Sequence, residues 1–359
     1  MSTANPVIAL DVMGGDTGLS LVIAAAEIAR ERYPKLRFRL YGPEAAIRAA
    51  LAKAPRIAAD SVIVHTDQQV LGTDKPSQVI RRGRETSMGL AISAVKAGEA
   101  DATVSAGNTG ALMAMAKLTL RTMEGIDRPA LAALLPTSKA DMVMLDLGAN
   151  TECDAENLVQ FAVMGAAFAR TVLALPRPRV ALLNIGVEEL KGTDELKDAA
   201  ALLRGVELPM SFEGFVEGDG IGKGDVDVVV TDGFSGNIAL KSIEGTARLV
   251  TGLLADAFRT SWLTKLGYLF SRGALRALRG HIDPDTHNGA VFLGLNGLVV
   301  KSHGSATARG FANAIGVAHD LIVGDIARRI SDDLENFRAH RPVLTPEGEA
   351  GDDLPTGEV

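Results

Sequence analysis

Six short turns, rich in glycine and small polar residues, could surround a ligand with backbone amides and polar side chains. Most follow an apolar run typical of a buried strand, and open α/β sheets bind ligands beyond the carboxyl ends of their strands. Glycine lets the backbone approach a ligand closely, and amides at helix starts favour anions. The turns therefore predict one crevice for a phosphorylated ligand or for phosphate itself. They span residues 11–16, 105–110, 146–150, 184–192, 232–237 and 301–305.

The first two turns offer candidate phosphate ligands. Gly14 and Gly15 could present amides to an anion, while the Asp16 carboxylate could bind backbone or a cation. Asn108 and Thr109 could donate to phosphate or to a carbonyl oxygen. A tight strand-to-helix turn and an ordinary helix cap explain the same residues about as well. Neither Gly-x-Gly-x-x-Gly nor a Walker lysine motif occurs, which disfavours a nucleotide or nicotinamide cofactor.

Three later residues could supply a cation or an amide donor. Lys191 could bind phosphate or stabilise a developing oxyanion, although a lysine beside glutamates is more often a solvated ion pair. Asn237 begins a predicted helix and could donate to an acyl oxygen, with an N-cap as the alternative. Lys241, one turn later, could reach the same site or remain solvated. For residues 146–150, a structural Asx turn is the favoured interpretation.

The last turn brings Lys301, Ser302 and His303 together between a strand and a helix. An imidazole can shuttle protons near neutral pH, although a single histidine is more often structural. His281 and His287 flank acidic residues without strong ligand spacing, so no metal is expected. No serine nucleophile elbow or helical pair of metal ligands occurs. The site is equipped to position substrate and stabilise charge, with no covalent nucleophile of its own.

Composition limits the function classes. The 359 residues are 47% hydrophobic, enough for a large aliphatic core, and the net charge of −7 disfavours a general nucleic-acid-binding face. The single cysteine, Cys153, excludes an intramolecular disulfide framework. Residues 1–10 lack the pattern of a signal peptide, and no apolar stretch is long enough to span a bilayer. A soluble cytoplasmic protein is expected.

Strand-like and helix-like segments alternate, which predicts an α/β fold with a mostly parallel sheet and helices on both faces. Ser77 and Asp154 are predicted helix caps. Residues 1–340 are expected to form a single catalytic domain, with two lobes as the alternative, and residues 341–359 a disordered acidic tail. Predicted strands cover residues 7–11, 38–41, 62–65, 102–105, 142–147, 180–185, 226–231 and 298–301. Predicted helices cover residues 19–33, 44–53, 77–97, 110–122, 155–173, 193–204, 237–258 and 305–337.

The glycine-rich turns and several further motifs, in their order along the chain, resemble those of the bacterial phosphate acyltransferases of phospholipid synthesis. The chain departs from the family pattern after the first glycine motif, where a proline is common, and at Val187, which interrupts a glutamate-rich segment. The resemblance implies a three-layer fold similar to isocitrate dehydrogenase and phosphotransacetylase, a homodimer, and no cofactor, metal or nucleotide. The matching motifs are residues 11–16, 105–113, 128–132, 146–150, 160–162, 215–218, 232–237 and 295–304.

The resemblance also implies a reaction. Members of this family transfer an acyl group from acyl-acyl-carrier-protein to inorganic phosphate, and a membrane acyltransferase uses the acyl phosphate for the first acylation of glycerol 3-phosphate. Together with the site chemistry, this assigns Lys191 and Asn237 to positioning and charge stabilisation, and His303 to protonation of the leaving thiolate. The phosphate-side candidates are Gly15, Asn108, Thr109, Lys301 and Ser302.

A helical segment near residues 258–280 could place the enzyme at a membrane. One apolar face could enter an anionic lipid surface beside basic residues, or could pack on a partner subunit. With the family resemblance, we expect a cytoplasmic protein associated with the inner face of the cell membrane. The apolar residues are Trp262, Leu266, Leu269 and Phe270, and the basic residues are Lys265, Arg272, Arg276 and Arg279.

Two other function classes remain open from the sequence. One is a phosphotransacetylase-like enzyme that uses acyl-coenzyme A. The other is a noncatalytic scaffold that binds acyl carrier protein. A nicotinamide-dependent dehydrogenase is a more remote alternative.

Overall fold

The computed structural model describes residues 5–15, 18–74, 79 and 82–341. Asp16, Ser77 and residues 342–359, which carry most of the predicted tail, lie outside the described residues. In the described part, eleven strands form one sheet in the order β3-β2-β1-β4-β11-β10-β5-β6-β9-β7-β8. The strands are β1 (Val7–Asp11), β2 (Arg37–Gly42), β3 (Ser61–His65), β4 (Ala102–Ser105), β5 (Ala130–Pro136), β6 (Asp141–Leu145), β7 (Arg179–Leu183), β8 (Ser211–Val216), β9 (Val228–Val230), β10 (Ala290–Leu293) and β11 (Leu298–Lys301).

The direction of the strands reverses in the middle of the sheet. Strands β3, β2, β1, β4 and β11 are parallel to one another, and so are β6, β9, β7 and β8. Between these halves, β10 is antiparallel to both β11 and β5, and β5 is antiparallel to β6. The mostly parallel α/β sheet is therefore confirmed, but its two halves run in opposite directions.

Helices cover both faces of the sheet, as predicted. Successive strand residues point to opposite faces, and Val143 and Leu145 join one core cluster whereas Met142 and Met144 join another. The helices are α1 (Gly18–Arg32), α2 (Glu44–Leu51), α3 (Pro55–Ala58), α4 (Ser87–Lys96), α5 (Thr109–Leu120), α6 (Ala155–Val172), α7 (Asp194–Arg204), α8 (Gly233–Ala257), α9 (Trp262–Ile282), α10 (Ala308–Val323) and α11 (Ile326–Ala339). Helices α1, α6, α10 and α11 contribute to the first cluster, and α4 and α5 to the second.

Several element predictions need correction. Strands β5, β8 and β10 were not predicted, and the single helix expected over residues 305–337 is two helices, because Gly324 ends α10 and Asp325 adopts a φ of 50°. Helix α4 begins at Ser87 with Thr86 as its cap (Gly89 N to Thr86 Oγ1, 3.2 Å). The helix predicted over residues 77–97 is therefore interrupted by a 3-10 turn at Gly83–Glu85. Before that turn Val79 and Arg82 are helical, and residues 77, 78, 80 and 81 lie outside the described residues. The Asp154 cap is confirmed by a capping box with Asn157.

Helices α8 and α9 form a hairpin that the core does not cover. No residue of α9 is buried, and in α8 only Gly233 and Gly236 are buried. Trp262 is 73% exposed and Phe270 82% exposed. Large exposed apolar surfaces mark contact sites, so this hairpin is a candidate interface. No described helix is long and apolar enough to cross a membrane.

Candidate active site

Three of the six turns meet at the carboxyl ends of β1, β4 and β11, and we call them the first turn group (residues 11–15, 105–110 and 301–305). Gly15 has a φ of 91°, and a Cβ there would lie 2.9 Å from Ala106 Cβ and 3.1 Å from Gly304 O. A Cβ at Gly14 would lie 2.8 Å from Gly107 N. These distances leave room only for glycine, so the backbone at Gly14 and Gly15 packs closely against the other two turns and joins all three.

The buried carboxylate of Asp11 fixes the first turn group from below. It accepts hydrogen bonds from Ser87 Oγ (2.6 Å), Ser105 Oγ (2.7 Å) and the Met13 amide (3.2 Å). Ser105 Oγ in turn accepts from the Gly107 amide (3.0 Å). Burial raises the pKa of Asp11, and the hydrogen bonds oppose that rise. Asp11 thus links β1, β4 and the start of α4 beneath the glycine turns.

Asn108 is an ordinary helix cap, which was the structural alternative to a phosphate ligand. Its Oδ1 accepts from the Ala111 amide (2.9 Å) as the cap of α5, and its Nδ2 donates to Gly72 O (2.9 Å). Thr109 is the exposed first residue of α5. Of the two, Thr109 lies at the surface, whereas both polar atoms of the Asn108 side chain already have protein partners.

The last turn separates its three predicted residues. The half-buried Lys301 donates from Nζ to the carbonyl oxygen of Ala106 (3.4 Å), and it also contacts Ser302 O. Ser302 is fully buried, and its hydroxyl accepts from Asn288 Nδ2 (2.8 Å), which argues against direct phosphate contact by that hydroxyl. His303 is exposed, and its backbone amide donates to Asn288 Oδ1 (2.9 Å).

The ring of His303 has a defined neighbour. Its Nδ1 lies 2.9 Å from Ser305 Oγ and accepts from the Ser305 amide (3.3 Å). A neutral ring with an accepting Nδ1 carries its proton on Nε2. The contact with Ser305 therefore engages Nδ1, and Nε2 is the ring nitrogen that could exchange a proton with a substrate.

The remaining turns form a second turn group (residues 146–152, 184–192 and 231–237) at the carboxyl ends of β6, β7 and β9. Buried Asp146 accepts from the amides of Leu131 (3.0 Å), Gly148 (3.1 Å), Ala149 (2.9 Å) and Asn150 (2.8 Å), and from Asn150 Nδ2 (2.9 Å). Burial raises the pKa of Asp146, and these bonds oppose the rise. The Asx turn is confirmed.

Asn237 projects from the first part of α8 toward this turn. Its Nδ2 donates to Leu147 O (3.1 Å), and a Cβ at Gly148 would lie 2.9 Å from the same nitrogen. The cap of α8 is Asp232, whose Oδ1 accepts from the Ser235 amide (2.8 Å). Asn237 is therefore not the N-cap, and its exposed side chain stands beside Gly148.

Lys191 lies in an exposed loop that one asparagine holds at both ends. Asn184 Oδ1 accepts from the Ile185 amide (2.8 Å), and Asn184 Nδ2 donates to Lys191 O (3.1 Å). Ile185 and Leu190 are 79% and 89% exposed. Lys241 instead forms an exposed ion pair with Glu244 (3.0 Å) on α8.

The two turn groups leave the sheet in opposite directions, because β6, β7 and β9 run antiparallel to β1, β4 and β11. The prediction of one crevice formed directly by all six strand ends is therefore wrong. No sequence pattern predicted this reversal or the roles of Ser87 and Asn288 in holding the turns. Asn184 lies in a predicted turn, but its bonds across that loop were not predicted. The partners of all three residues are identified only by the folded chain.

The two histidines that flank acidic residues, His281 and His287, have structural contacts. His281 Nε2 lies 2.9 Å from Thr137 O, and His287 Nε2 lies 2.9 Å from Asp141 Oδ1. Over the described ranges, no group of three or more His, Cys, Asp or Glu residues could hold a metal ion. Burial, together with the charges of Asp146 and Asp232, raises the pKa of Cys153 to about 12.

Solved structures identify the fold as that of phosphotransacetylases. The chain aligns with a phosphotransacetylase from Streptococcus pyogenes (TM-score 0.58, 19% identity, 89% of this chain and 94% of that chain). It also aligns with the EutD phosphotransacetylase from Staphylococcus aureus (TM-score 0.57, 17% identity, 91% of this chain and 95% of that chain). At these identities the likeness shows the fold alone.

Sequence comparisons identify the family. The model described as "Fatty acid synthesis protein" matches residues 7–329. A phosphate acyltransferase of Erythrobacter litoralis is 60% identical over 331 residues, 92% of this chain and 93% of that protein. One of Parvibaculum lavamentivorans is 59% identical over 336 residues, 93% of each. The chain belongs to the phosphate acyltransferase family, as its motifs indicated, and it is an acyltransferase.

Proposed function

We propose that the protein transfers a fatty acyl group from acyl-acyl-carrier-protein to inorganic phosphate. The product, an acyl phosphate, would serve the first acylation of glycerol 3-phosphate in phospholipid synthesis. The observation that carries the phosphate assignment is the contact of three turns at Gly15, with Lys301 as the adjoining cation. Backbone amides and a lysine in a close-packed turn cluster are suited to a small oxyanion.

In this proposal, the chain supplies positioning and charge rather than a nucleophile. Phosphate attacks the thioester carbonyl carbon, the carbonyl oxygen gains negative charge, and the carbon–sulfur bond then breaks. Lys191 and Asn237 stabilise the charge on that oxygen. The sulfur leaves as the thiolate of the carrier's pantetheine arm, and the imidazolium form of His303 gives it the proton on Nε2 and becomes a neutral imidazole.

A homodimer would give the two turn groups a way to act on one substrate. Their opposite directions mean that strand ends of one chain do not bring them together, and the exposed apolar residues Leu249, Val250 and Leu253 of α8 offer a surface for a second copy. The oligomeric state, measured by light scattering, tests this part of the proposal. A monomer at the concentration of full activity would contradict it.

We also propose that α9 contacts the cytoplasmic face of the membrane through Trp262, Leu266, Leu269 and Phe270. These side chains are between 46% and 82% exposed. Lys265, Arg272, Arg276 and Arg279 are exposed on the same helix and would attract anionic lipid. The contact would deliver acyl phosphate toward a membrane acyltransferase.

Vesicle sedimentation tests the membrane contact. The double variant Trp262→Glu, Phe270→Glu should bind anionic vesicles more weakly than the native protein, because two apolar anchors become charges. The matched control is Leu118→Glu, which changes an apolar residue of similar exposure (59%) on α5. Equal binding by the native protein and the double variant would reject α9 as the contact.

The reaction is tested by mixing the protein with long-chain acyl-acyl-carrier-protein, with and without phosphate. Phosphate-dependent release of free carrier protein and of a hydroxylamine-reactive acyl phosphate is expected. Lys191→Ala should lose at least about 100-fold in turnover without unfolding, whereas Lys197→Ala, on the next helix, should not. Near-normal turnover by Lys191→Ala would remove Lys191 from the site.

Acyl-coenzyme A is the alternative donor, because the solved structures of this fold are phosphotransacetylases. Parallel assays with the two thioesters separate the donors. Higher kcat/KM with the coenzyme A thioester would replace the carrier-protein assignment and leave acyl transfer to phosphate unchanged. Carrier-protein binding without turnover by either donor would support the scaffold alternative.

A further inference from the structure

The segment that leads into β5 holds an exposed guanidinium on a fixed backbone. Before Arg128, the Asp127 amide donates to Gln160 Oε1 (3.0 Å) and Gln160 Nε2 donates back to Asp127 Oδ2 (2.8 Å). After it, Asn150 Nδ2 donates to Pro129 O (2.8 Å). Gln160 and Asn150 are buried, whereas Arg128 is exposed. Both neighbours of this exposed cation are thus fixed by buried amides.

The guanidinium retains most of its binding capacity. Arg128 Nη1 donates to the backbone carbonyl of Glu152 (3.0 Å), which uses one of its five N–H donors. Among the described residues, Arg128 forms no ion pair. Its charge is therefore oriented by a neutral oxygen and is not neutralised by a carboxylate.

Pro129, the residue after Arg128, and Asn237 both bond to the turn of residues 146–150. Asn150, which bonds to the segment of Arg128, also donates to Asp146 within this turn. Leu147, in the same turn, accepts the hydrogen bond of Asn237. The Gly233 amide at the start of α8 donates to Asn150 O (2.7 Å). The turn of residues 146–150 therefore connects the arginine to the start of the helix that carries Asn237.

We propose that Arg128 binds a phosphate-type oxyanion of a substrate beside Asn237. This inference rests on the proposed function, which offers two such anions: inorganic phosphate, and the phosphodiester of the carrier protein's pantetheine arm. A guanidinium matches phosphate oxygens with two parallel hydrogen bonds, which a lysine ammonium does not provide. Arg128 would then fix where the anionic substrate lies relative to the amide of Asn237.

Two variants separate this role from a structural one. Arg128→Gln keeps an N–H donor for Glu152 O but loses the charge and the paired donors, so a purely structural arginine would tolerate it. For an oxyanion ligand, Arg128→Gln should raise the KM of one substrate roughly 10- to 100-fold with a smaller change in kcat. Arg128→Lys should be intermediate. Arg328→Gln, an exposed arginine on α11, is the control and should match the native protein.

The KM values for phosphate and for acyl-acyl-carrier-protein distinguish the two sources of the anion. A rise confined to phosphate identifies the inorganic ion, and a rise confined to the carrier substrate identifies the phosphodiester. Unchanged KM values for both substrates would overturn the assignment of Arg128 while leaving the proposed function intact.

A native protein without phosphate-dependent turnover would refute the proposed function instead. In that case, equilibrium dialysis with inorganic phosphate and with phosphopantetheine decides the role of Arg128. Weaker binding of either probe by Arg128→Gln than by the native protein supports the oxyanion site and names its ligand. Equal binding of both probes by the two proteins overturns it.

Discussion

Comparing an alanine at Gly15 with a matched alanine variant should separate the cost of backbone strain from the cost of contact between the turns. Gly15 and Gly18 both have positive φ, 91° and 71°, so alanine at either position must adopt a left-handed backbone. Only at Gly15 would the new Cβ also meet other turns, at 2.9 Å from Ala106 Cβ and 3.1 Å from Gly304 O, whereas at Gly18 no atom of another element in the described part of the chain lies within 4 Å. Gly18→Ala is therefore a matched control.

The expected stabilities follow from these two terms. A left-handed backbone costs an alanine about 1–2 kcal/mol, which applies to both variants. Forcing a methyl group into a filled space costs about 1–3 kcal/mol more, which applies to Gly15→Ala alone. We expect losses of about 2–5 kcal/mol for Gly15→Ala and about 1–2 kcal/mol for Gly18→Ala. Both fall within the stability of ordinary domains.

Urea denaturation followed by circular dichroism measures the difference, and steady-state kinetics measure its effect on the site. The Gly15→Ala methyl group must displace the turns at Ala106 and Gly304, so the KM for phosphate should rise in this variant and stay near the native value in Gly18→Ala. Equal losses of stability in the two variants, or an unchanged phosphate KM in Gly15→Ala, would refute the contact of the three turns as a phosphate site.

Three further predictions concern buried groups. Asp146→Asn should lower the free energy of unfolding by about 2–4 kcal/mol in urea denaturation, because its amide would turn N–H groups toward N–H donors; an unchanged midpoint would contradict those bonds. Burial raises the pKa of folded Asp11 above its unfolded value, so the native protein loses stability as pH rises through that range. Its stability advantage over Asp11→Asn should therefore shrink as the pH rises above about 4, the ordinary range of an aspartic acid, and a constant advantage would contradict the raised pKa. With a pKa of about 12, the half-buried Cys153 should react with iodoacetamide more than about 100-fold more slowly in the native than in the urea-unfolded protein at neutral pH, and equal rates would contradict the raised pKa.

The sequence predicts elements well where local preference and burial agree. Strands β1, β4 and β11 have the predicted bounds, since short aliphatic or β-branched runs there end in turn residues. In β5, the residues Ala-Leu-Ala-Ala-Leu-Leu favour a helix by intrinsic propensity, and their place inside the sheet overrides it. A local sequence pattern does not show which strands will lie on either side of a segment.

The same limit applies to the site. A glycine pair after a strand predicted a tight turn, and Gly15 packs closely against two other turns. The hydroxyl of Ser302 was expected on the phosphate side, but it is taken by Asn288, and the bond from Ser87 to Asp11 joins residues 76 positions apart. Such polar partners are set by tertiary packing, because no local spacing rule connects them.

Strands β5 and β10, which were not predicted, lie in the middle of the sheet. They decide in which direction the turns of each half point. Three antiparallel pairings, β11 with β10, β10 with β5, and β5 with β6, separate the two halves. An odd number of reversals leaves the halves running in opposite directions, whereas an even number would have aligned them. With β5 and β10 missing from the prediction, every strand looked parallel, and all six turns were expected at one edge. Residues such as Lys301 and Asn237 therefore reach a common substrate only through their loops or through a second copy of the chain, because the strand ends direct them apart.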